Sequence, residues 1–522
     1  MKKGTRTRRF LADERGVFAV IFGILTIVLV VVSGAVVDFV NIQNARSMAQ
    51  ASLDSTVLSL QPTIYSQTEQ EILDVAEPIL LERLSALNVT VDLDTIDVNQ
   101  SEGTLFLEAR LSIPMPFLGL IGIDTMATRV ASQATRKQLF LEVGMVLDNS
   151  GSMNSFSRMT NLKTAASNAT EILFEGQDIS TTTKIGIIPF TSFVNVGANN
   201  ANQPWIDRDG NSSIASDNFD DDDDDSTPFF GPVDRLALYN QINNAQWGGC
   251  VDARPHFETT GADAHLDTDD TPPDVNNPDT LFVPSFSPDT PDSWATWQSD
   301  YESDTASSSC PPLIWGSDRE RQERLCKYEG NINTSSWGPN FDCPSAAILP
   351  LDNQKADVLA AIDDMDAGGA TNIHMGAIWG FRVLSPTEPF TEGNPYDPDT
   401  LKVMIIMTDG ENTMYAANNM NGAFYYSPYG FPYNERIGEV GWSNAQLREE
   451  MNNRTIESCN NAKAANIVVY TIGLNPPNAT TQSMLEQCAS SLAQAYFPEQ
   501  PSELDDVFAD IAGQLSALRL AQ

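Results

Sequence analysis

Three short stretches hold the residues whose types and spacing could do chemistry. Asp148-Asn149-Ser150-Gly151-Ser152 places D-x-S-x-S directly after an apolar run, Leu139 to Leu147, and ahead of a helical pattern. Gly368-Gly369-Ala370-Thr371 precedes a second helical pattern, and Met407-Thr408-Asp409-Gly410 ends another apolar run. Asp148, Ser150, Ser152, Thr371 and Asp409 are all hard oxygen donors. Mg²⁺ favours such donors in near-octahedral geometry and gives up its waters reluctantly, which suits hydroxyls bound directly and carboxylates acting partly through water. Gly151 allows the tight turn that brings both serine hydroxyls to one centre. So few protein charges leave the ion electrophilic, with room for a further oxygen.

These residues need a scaffold that gathers strand ends. Strand patterns at 139–147, 184–190, 401–408 and 466–473 alternate with helical patterns at 157–176, 353–365, 373–383, 443–464 and 501–518. That alternation predicts an α/β fold, a mainly parallel sheet flanked by helices, whose ligands bind at the carboxyl ends of the strands. Two insertions interrupt it, at about 196–350 and 411–441. The first is rich in Asp, Asn, Pro, Ser and Trp and holds Asp220 to Asp225, a run that like-charge repulsion keeps extended. Loops of such length are functional or poorly ordered, and the cysteines in this one predict a partly stapled subdomain.

The chain has 522 residues, of which 41% are hydrophobic, enough for several packed units. Its formal charge of -40 repels polyphosphate backbones and excludes nucleic acid as a partner. Lys2, Lys3, Arg6, Arg8, Arg9 and Arg15 precede an uncharged apolar run from Val17 to Val37. Spanning about 30 Å of hydrocarbon takes roughly 20 apolar residues as a helix, and basic residues stay cytoplasmic. The expected order is a cytoplasmic basic segment (1–15), a transmembrane helix (16–38), a helical stalk with a small α+β unit (39–136), then the large exported domain (137–522). The apolar run exceeds a signal-peptide core and Ser33-Gly34-Ala35 is a poor cleavage site, so the anchor is expected to be retained.

All six cysteines, Cys250, Cys310, Cys326, Cys343, Cys459 and Cys488, fall on the exported side, where disulfides form. Cys459 and Cys488 bracket one strand pattern and are the expected pair. A zinc site lacks any C-x-x-C spacing, and only His256 near Cys250 suggests one. Asp207 to Asn211 begins like a calcium loop, but Asn218 stands where the bidentate Glu belongs. Among three histidines, no G-x-S-x-G elbow and no P-loop, nothing forms a nucleophile–base pair, and His374 is expected to pack at its helix start. No small-molecule substrate is expected.

The D-x-S-x-S, Thr and Asp elements resemble the metal-ion-dependent adhesion site of the von Willebrand factor type A family, in the same order. The resemblance implies that Ser150, Ser152 and Thr371 ligate Mg²⁺ directly, or Mn²⁺ or Ca²⁺ in its place. Asp148 and Asp409 would then act mainly through water, and a partner's carboxylate would fill the remaining position. The anchor with Arg8-Arg9-Phe10-Leu11-Ala12-Asp13-Glu14-Arg15-Gly16, Asp38, the segment Gln43 to Asp54, the small strand unit and the type A pattern together look like TadG-like proteins of tight-adherence (Flp) pilus assembly. That implies a non-enzymatic inner-membrane protein with a periplasmic domain, whose partners are other pilus assembly components or pseudopilins. Gly16 has no Glu at the fifth position after it, so prepilin-type cleavage is not expected. The alternative is a surface adhesin that takes an extracellular ligand through the same metal site. A metal-assisted hydrolase lacks a general base.

Overall fold

Apolar residues without a breaker continue from the membrane run into an amphipathic stretch, and the backbone follows them as one helix, α1 (Arg15–Leu60). A computed structural model describes residues 15–64, 67–85, 89–99, 103–136, 139–220, 231–257, 265–292, 300–304, 317–330, 332–334 and 338–521. The basic segment before Arg15, Asp221 to Asp225 and Cys310 lie outside the described residues. The chain divides into two compact units, one up to Gln138 and one from Leu139 to Ala521.

In the first unit α1 is long and apolar enough over its N-terminal part to cross a membrane. At 46 residues it rises about 69 Å, so the boundary expected at 38 falls inside unbroken helix. Beyond it, Ala45, Ala49, Leu53 and Val57 recur every fourth residue and are buried. This small-residue stripe packs within its own unit: Gln50 donates to the Ala131 carbonyl at 2.8 Å, while Met48 faces outward. Helix α2 (Glu69–Leu84) starts at a capping box of Thr68 and Glu71. An antiparallel sheet, β1 (Thr90–Asn99), β2 (Thr104–Pro114) and β3 (Thr125–Thr135), completes the unit, with Leu105, Leu107, Ala109 and Leu111 buried in alternation.

The second unit is built on a six-stranded sheet. Its strands are β4 (Phe140–Asp148), β5 (Thr183–Phe190), β6 (Leu349–Asp352), β7 (Thr400–Thr408), β8 (Val468–Gly473) and β9 (Ala495–Tyr496), in spatial order β6-β5-β4-β7-β8-β9. All pairings are parallel except the edge strand β6, which pairs antiparallel with β5. The expected mixed α/β architecture is present. Alternate residues of β4 serve opposite faces: Val143, Met145 and Leu147 pack with α3 (Arg158–Leu173), α6 (Lys355–Asp363) and α10 (Leu504–Ala521). Val146 faces α7 (Ile373–Leu384), α8 (Asn444–Ala464) and α9 (Ala479–Cys488). Two short helices, α4 (Arg235–Tyr239) and α5 (Asp318–Glu323), lie in the first insertion. The sequence patterns did not announce β6, α9 or β9: the two strands are only four and two residues long, and α9 has a weakly apolar face.

Among the described residues, both insertions pack mainly into the common core, and the first adds a small cluster of its own, Ile214, Ala215 and Val283. Trp205, Phe219, Trp247, Phe282 and Phe286 from the first, and Tyr426, Tyr429 and Phe431 from the second, join the apolar cluster over α7. The rings of Phe282 and Trp379 lie 4.8 Å apart. Arg235 is wholly buried, donating to Asp252 at 2.9 Å and to the Tyr426 hydroxyl at 3.0 Å. Cys250 is joined to Cys343 and Cys459 to Cys488; Cys326 is also disulfide-bonded.

Every residue of α7 is buried, and glycine lets it lie that close to the sheet. A methyl group at Gly380 would sit 2.5 Å from Val146 Cγ2 and 2.7 Å from Met404 Sδ. Gly380→Val should therefore overpack this layer and destabilise the unit by about 1–3 kcal/mol. Thermal melts of the full chain in detergent will show a lowered Tm; an unchanged Tm would mean that the layer yields without cost.

Candidate metal-binding site

The parallel register brings the chemistry to one edge. Leu147 of β4 stands beside Met407 of β7, so Asp148 and Thr408 end adjacent strands and Asp409 follows one residue later. The Gly368–Gly369 loop is stitched to the same edge: the Gly368 amide donates to the Asn149 carbonyl at 2.8 Å and the Gly151 amide to the Gly369 carbonyl at 2.9 Å. Gly369 has φ +75°, a left-handed conformation that a side chain would strain. Asn372 then caps α7 by accepting from the Met375 amide at 3.2 Å, which fixes Thr371 at the helix entrance.

All five residues expected from the sequence meet here. Asp148 is buried, accepting from the Ser150 amide at 2.7 Å and from the Thr408 hydroxyl at 2.6 Å. The Ser150 and Ser152 hydroxyls lie 3.0 Å apart, and Ser152 donates to Asp409 Oδ1 at 2.5 Å. A methyl group at Gly410 would lie 3.3 Å from the Thr371 hydroxyl and 3.9 Å from that of Ser152, so glycine keeps the space between them clear. Asp148, Ser150, Thr371 and Asp409 are buried while Ser152 is exposed, which leaves one open side.

Burial raises the Asp148 carboxyl from 3.8 to about 6, and the negative charge of Asp409 adds to the rise. Two carboxylates held side by side against their own repulsion suit a positively charged neighbour. Three hydroxyls and two carboxylates fit a hard divalent ion of the Mg²⁺ kind.

Sequence reasoning missed three neighbours. Arg158, first residue of α3, places its guanidinium 2.5 Å from Asp409 Oδ2 and supplies positive charge to the pair. Its type and its place six residues after Ser152 were the available signal. Thr408 orients Asp148, and Phe156, 81% exposed, stands at the rim with Arg158 5.6 Å from its ring centre. On the other side a cavity of about 580 Å³ is lined by Phe341, Asp342, Gly369, Ala370, Tyr415, Phe424 and Tyr425, joining both insertions to the Thr371 loop.

His374 is no ligand. It is buried, its Nε2 lies 2.9 Å from the Asp267 carbonyl and its Nδ1 2.6 Å from the Tyr429 hydroxyl. Burial pushes this imidazole down to about 4, so it stays neutral; Nε2 donates to the carbonyl and Nδ1 accepts from Tyr429. Asp207 of the calcium-like loop turns inward and accepts from the Asn211 and Ser212 amides at 3.0 and 2.9 Å, as a structured turn does.

No protein-family model and no curated protein matches the chain. Among solved structures, a pilus adhesin of Lactobacillus rhamnosus GG aligns over 82% of this chain and 34% of its own, with TM-score 0.34 and 10% identity. The von Willebrand factor domain of a type V pili tip protein from Porphyromonas gingivalis aligns over 73% of this chain and 96% of its own, with TM-score 0.33 and 11% identity. Proximal thread matrix protein 1 from the mussel byssus, with a zinc-occupied MIDAS motif, aligns over 73% and 48%, with TM-score 0.28 and 12% identity. This chain spans about a third of the length of the first. Scores this low identify no family.

The raised Asp148 value has a definite sign. In the metal-free chain the folded state holds this proton more tightly than the unfolded state, so the group costs stability above about pH 6, and the cost fades as pH falls towards 3.8. Mg²⁺ competes for the same carboxylate, so its apparent affinity should fall roughly tenfold per pH unit below about 6. The Mg²⁺-dependent rise in Tm is expected to be larger at about pH 7.5 than at about pH 5. Asp148→Asn should abolish that rise while leaving the metal-free Tm at about pH 7.5 unchanged or higher. A metal-free Tm that drops would show the negative charge to be stabilising and overturn this electrostatic account.

Proposed function

We propose that this chain is a membrane-anchored, non-enzymatic assembly protein of tight-adherence (Flp) pili, which grips an acidic side chain of a protein partner through a Mg²⁺ ion. One observation carries the reading: five oxygen-bearing side chains from three separate loops converge on one open-sided edge of the sheet. The ion would be held by Ser150, Ser152 and Thr371, with Asp148 and Asp409 behind them. Their electronic demand leaves it seeking another oxygen, which a partner's carboxylate supplies.

The surroundings support docking rather than catalysis. Phe156, Tyr415 and Phe424 are exposed aromatics about the site, and clustered aromatics of this kind anchor protein interfaces. The partner's apolar residues would enter the cleft at Tyr415 and Tyr425 while its carboxylate reaches the metal. The apolar N-terminal part of α1 supports the anchor, and the sequence motifs shared with TadG-like proteins point to the pilus machinery. The same geometry would serve a surface adhesin, and the two differ in where the domain resides.

Photocrosslinking from a residue introduced at Phe156 in living cells tests both. The expected product is an adduct with a pilus component that disappears with Asp148→Asn, while protease added to intact cells leaves the domain uncut. Phe156→Ala should weaken partner binding roughly tenfold or more with Mg²⁺ binding unchanged. An adduct indifferent to Asp148→Asn would remove the metal bridge, and cleavage of the domain on intact cells would favour the adhesin.

A further inference from the structure

Two of the three histidines in the chain, His256 and His265, meet within the first insertion. His256 and His265 face each other across an antiparallel bridge, and their rings stack 4.0 Å apart at 17°. Glu457 reaches them from α8, its Oε1 2.5 Å from His265 Nδ1. One ligating atom from each of the three lies within 4.8 Å of the others. Asp267 Oδ1 lies 2.7 Å from His256 Nδ1, and Arg454 holds the same carboxylate at 2.8 Å, so the His256 ring is oriented with Nε2 available. A carboxylate behind a histidine is how metal sites fix tautomer and ring direction.

We propose that His256, His265 and Glu457 form a second metal site, of the Zn²⁺ class, that ties the first insertion to α8. Two imidazoles and one carboxylate suit Zn²⁺ and its first-row neighbours, whereas Mg²⁺ and Ca²⁺ take oxygen. Three protein ligands leave a fourth position for water or an incoming side chain. Zn–N bonds of about 2.0–2.1 Å set tetrahedral ligand atoms roughly 3.4 Å apart, so the rings splay from the stack on binding. His265 and Glu457 are 41% and 35% exposed and have room for this movement. The Cys459–Cys488 disulfide, two residues beyond Glu457, pins α8 to α9 and steadies the ligand from the core side.

The full chain in detergent, stripped by chelator and dialysed against Zn²⁺ in excess Mg²⁺, should retain about one Zn²⁺ by mass spectrometry and gain Tm. His265→Gln and Glu457→Gln should each weaken Zn²⁺ at least tenfold and remove the visible Co²⁺ absorption of the substituted site. Asp148→Asn should leave both signals intact. Wild type retaining no Zn²⁺, or the histidine and glutamate variants retaining as much as wild type, would overturn the proposal; so would loss in Asp148→Asn alone, which would assign the ion to the first site.

A separate observation concerns the connection after β2. Phe117 packs on α1 at Gly34, where an added methyl would lie 2.4 Å from its Cβ. Asp38, buried one turn further, accepts from the Phe117 and Leu118 amides at 3.0 and 2.8 Å. The loop is thereby fixed level with the end of the apolar run, and it presents Leu120 and Ile121, 67% and 58% exposed. We infer that this loop enters the leaflet where α1 leaves the bilayer, an inference that rests on the anchored reading. An environment-sensitive fluorophore at Leu120→Cys in nanodiscs should be quenched by spin-labelled lipid, as should one at Val28→Cys. Quenching at Val28 alone overturns the loop insertion, and quenching at neither overturns the anchor with it.

Discussion

Two carboxylates of like charge, Asp148 and Asp409, are held buried at neighbouring strand ends, and much of the second unit serves to make that arrangement tolerable. Burial, and the charge of Asp409 beside it, disfavour the Asp148 charge. The fold answers with the Thr408 hydroxyl, the Ser150 amide, the Ser152 hydroxyl and the Arg158 guanidinium, each on a carboxylate oxygen. Arg158 gives charge compensation from one side only. The hydroxyls of Ser150, Ser152 and Thr371 stand on the other.

Positioning depends on α7. Thr371 is delivered to the edge that holds Asp148 and Asp409 because the helix that follows it is buried over its whole length, and Gly376 and Gly380 let it settle onto Val146. The far side of the same helix is covered by aromatic residues of both insertions, so the segments that interrupt the α/β pattern are structural parts of the site's support. Hydrogen bonds run from Tyr429 through His374 to Asp267, which touches His256. The start of α7 and the histidine cluster thus share one buried polar framework.

The main elements were legible because their patterns are strong. Buried parallel strands read as unbroken apolar runs ending in Asp148 and Thr408-Asp409, and the long helices kept their periods. The first insertion was not legible. The staple expected of its cysteines is there, Cys250 to Cys343, but its Trp and Phe residues pack into the common core, because burial there is decided by contacts between residues distant in sequence. The small-residue stripe at Ala45 and Ala49 packs with the antiparallel sheet of its own unit, a partner that helical spacing alone does not name.

By itself the sequence determined the donor types, the order D-x-S-x-S, Thr, Asp, and the apolar N-terminal run, because these depend on local spacing and composition. Only the tertiary structure decided that Arg158 neutralises Asp409, that Thr408 orients Asp148, that Phe156 stands over Arg158, and that His256 meets His265 and Glu457. Those pairings join residues up to 260 positions apart, and no local periodicity encodes which distant side chains a parallel register will bring into contact.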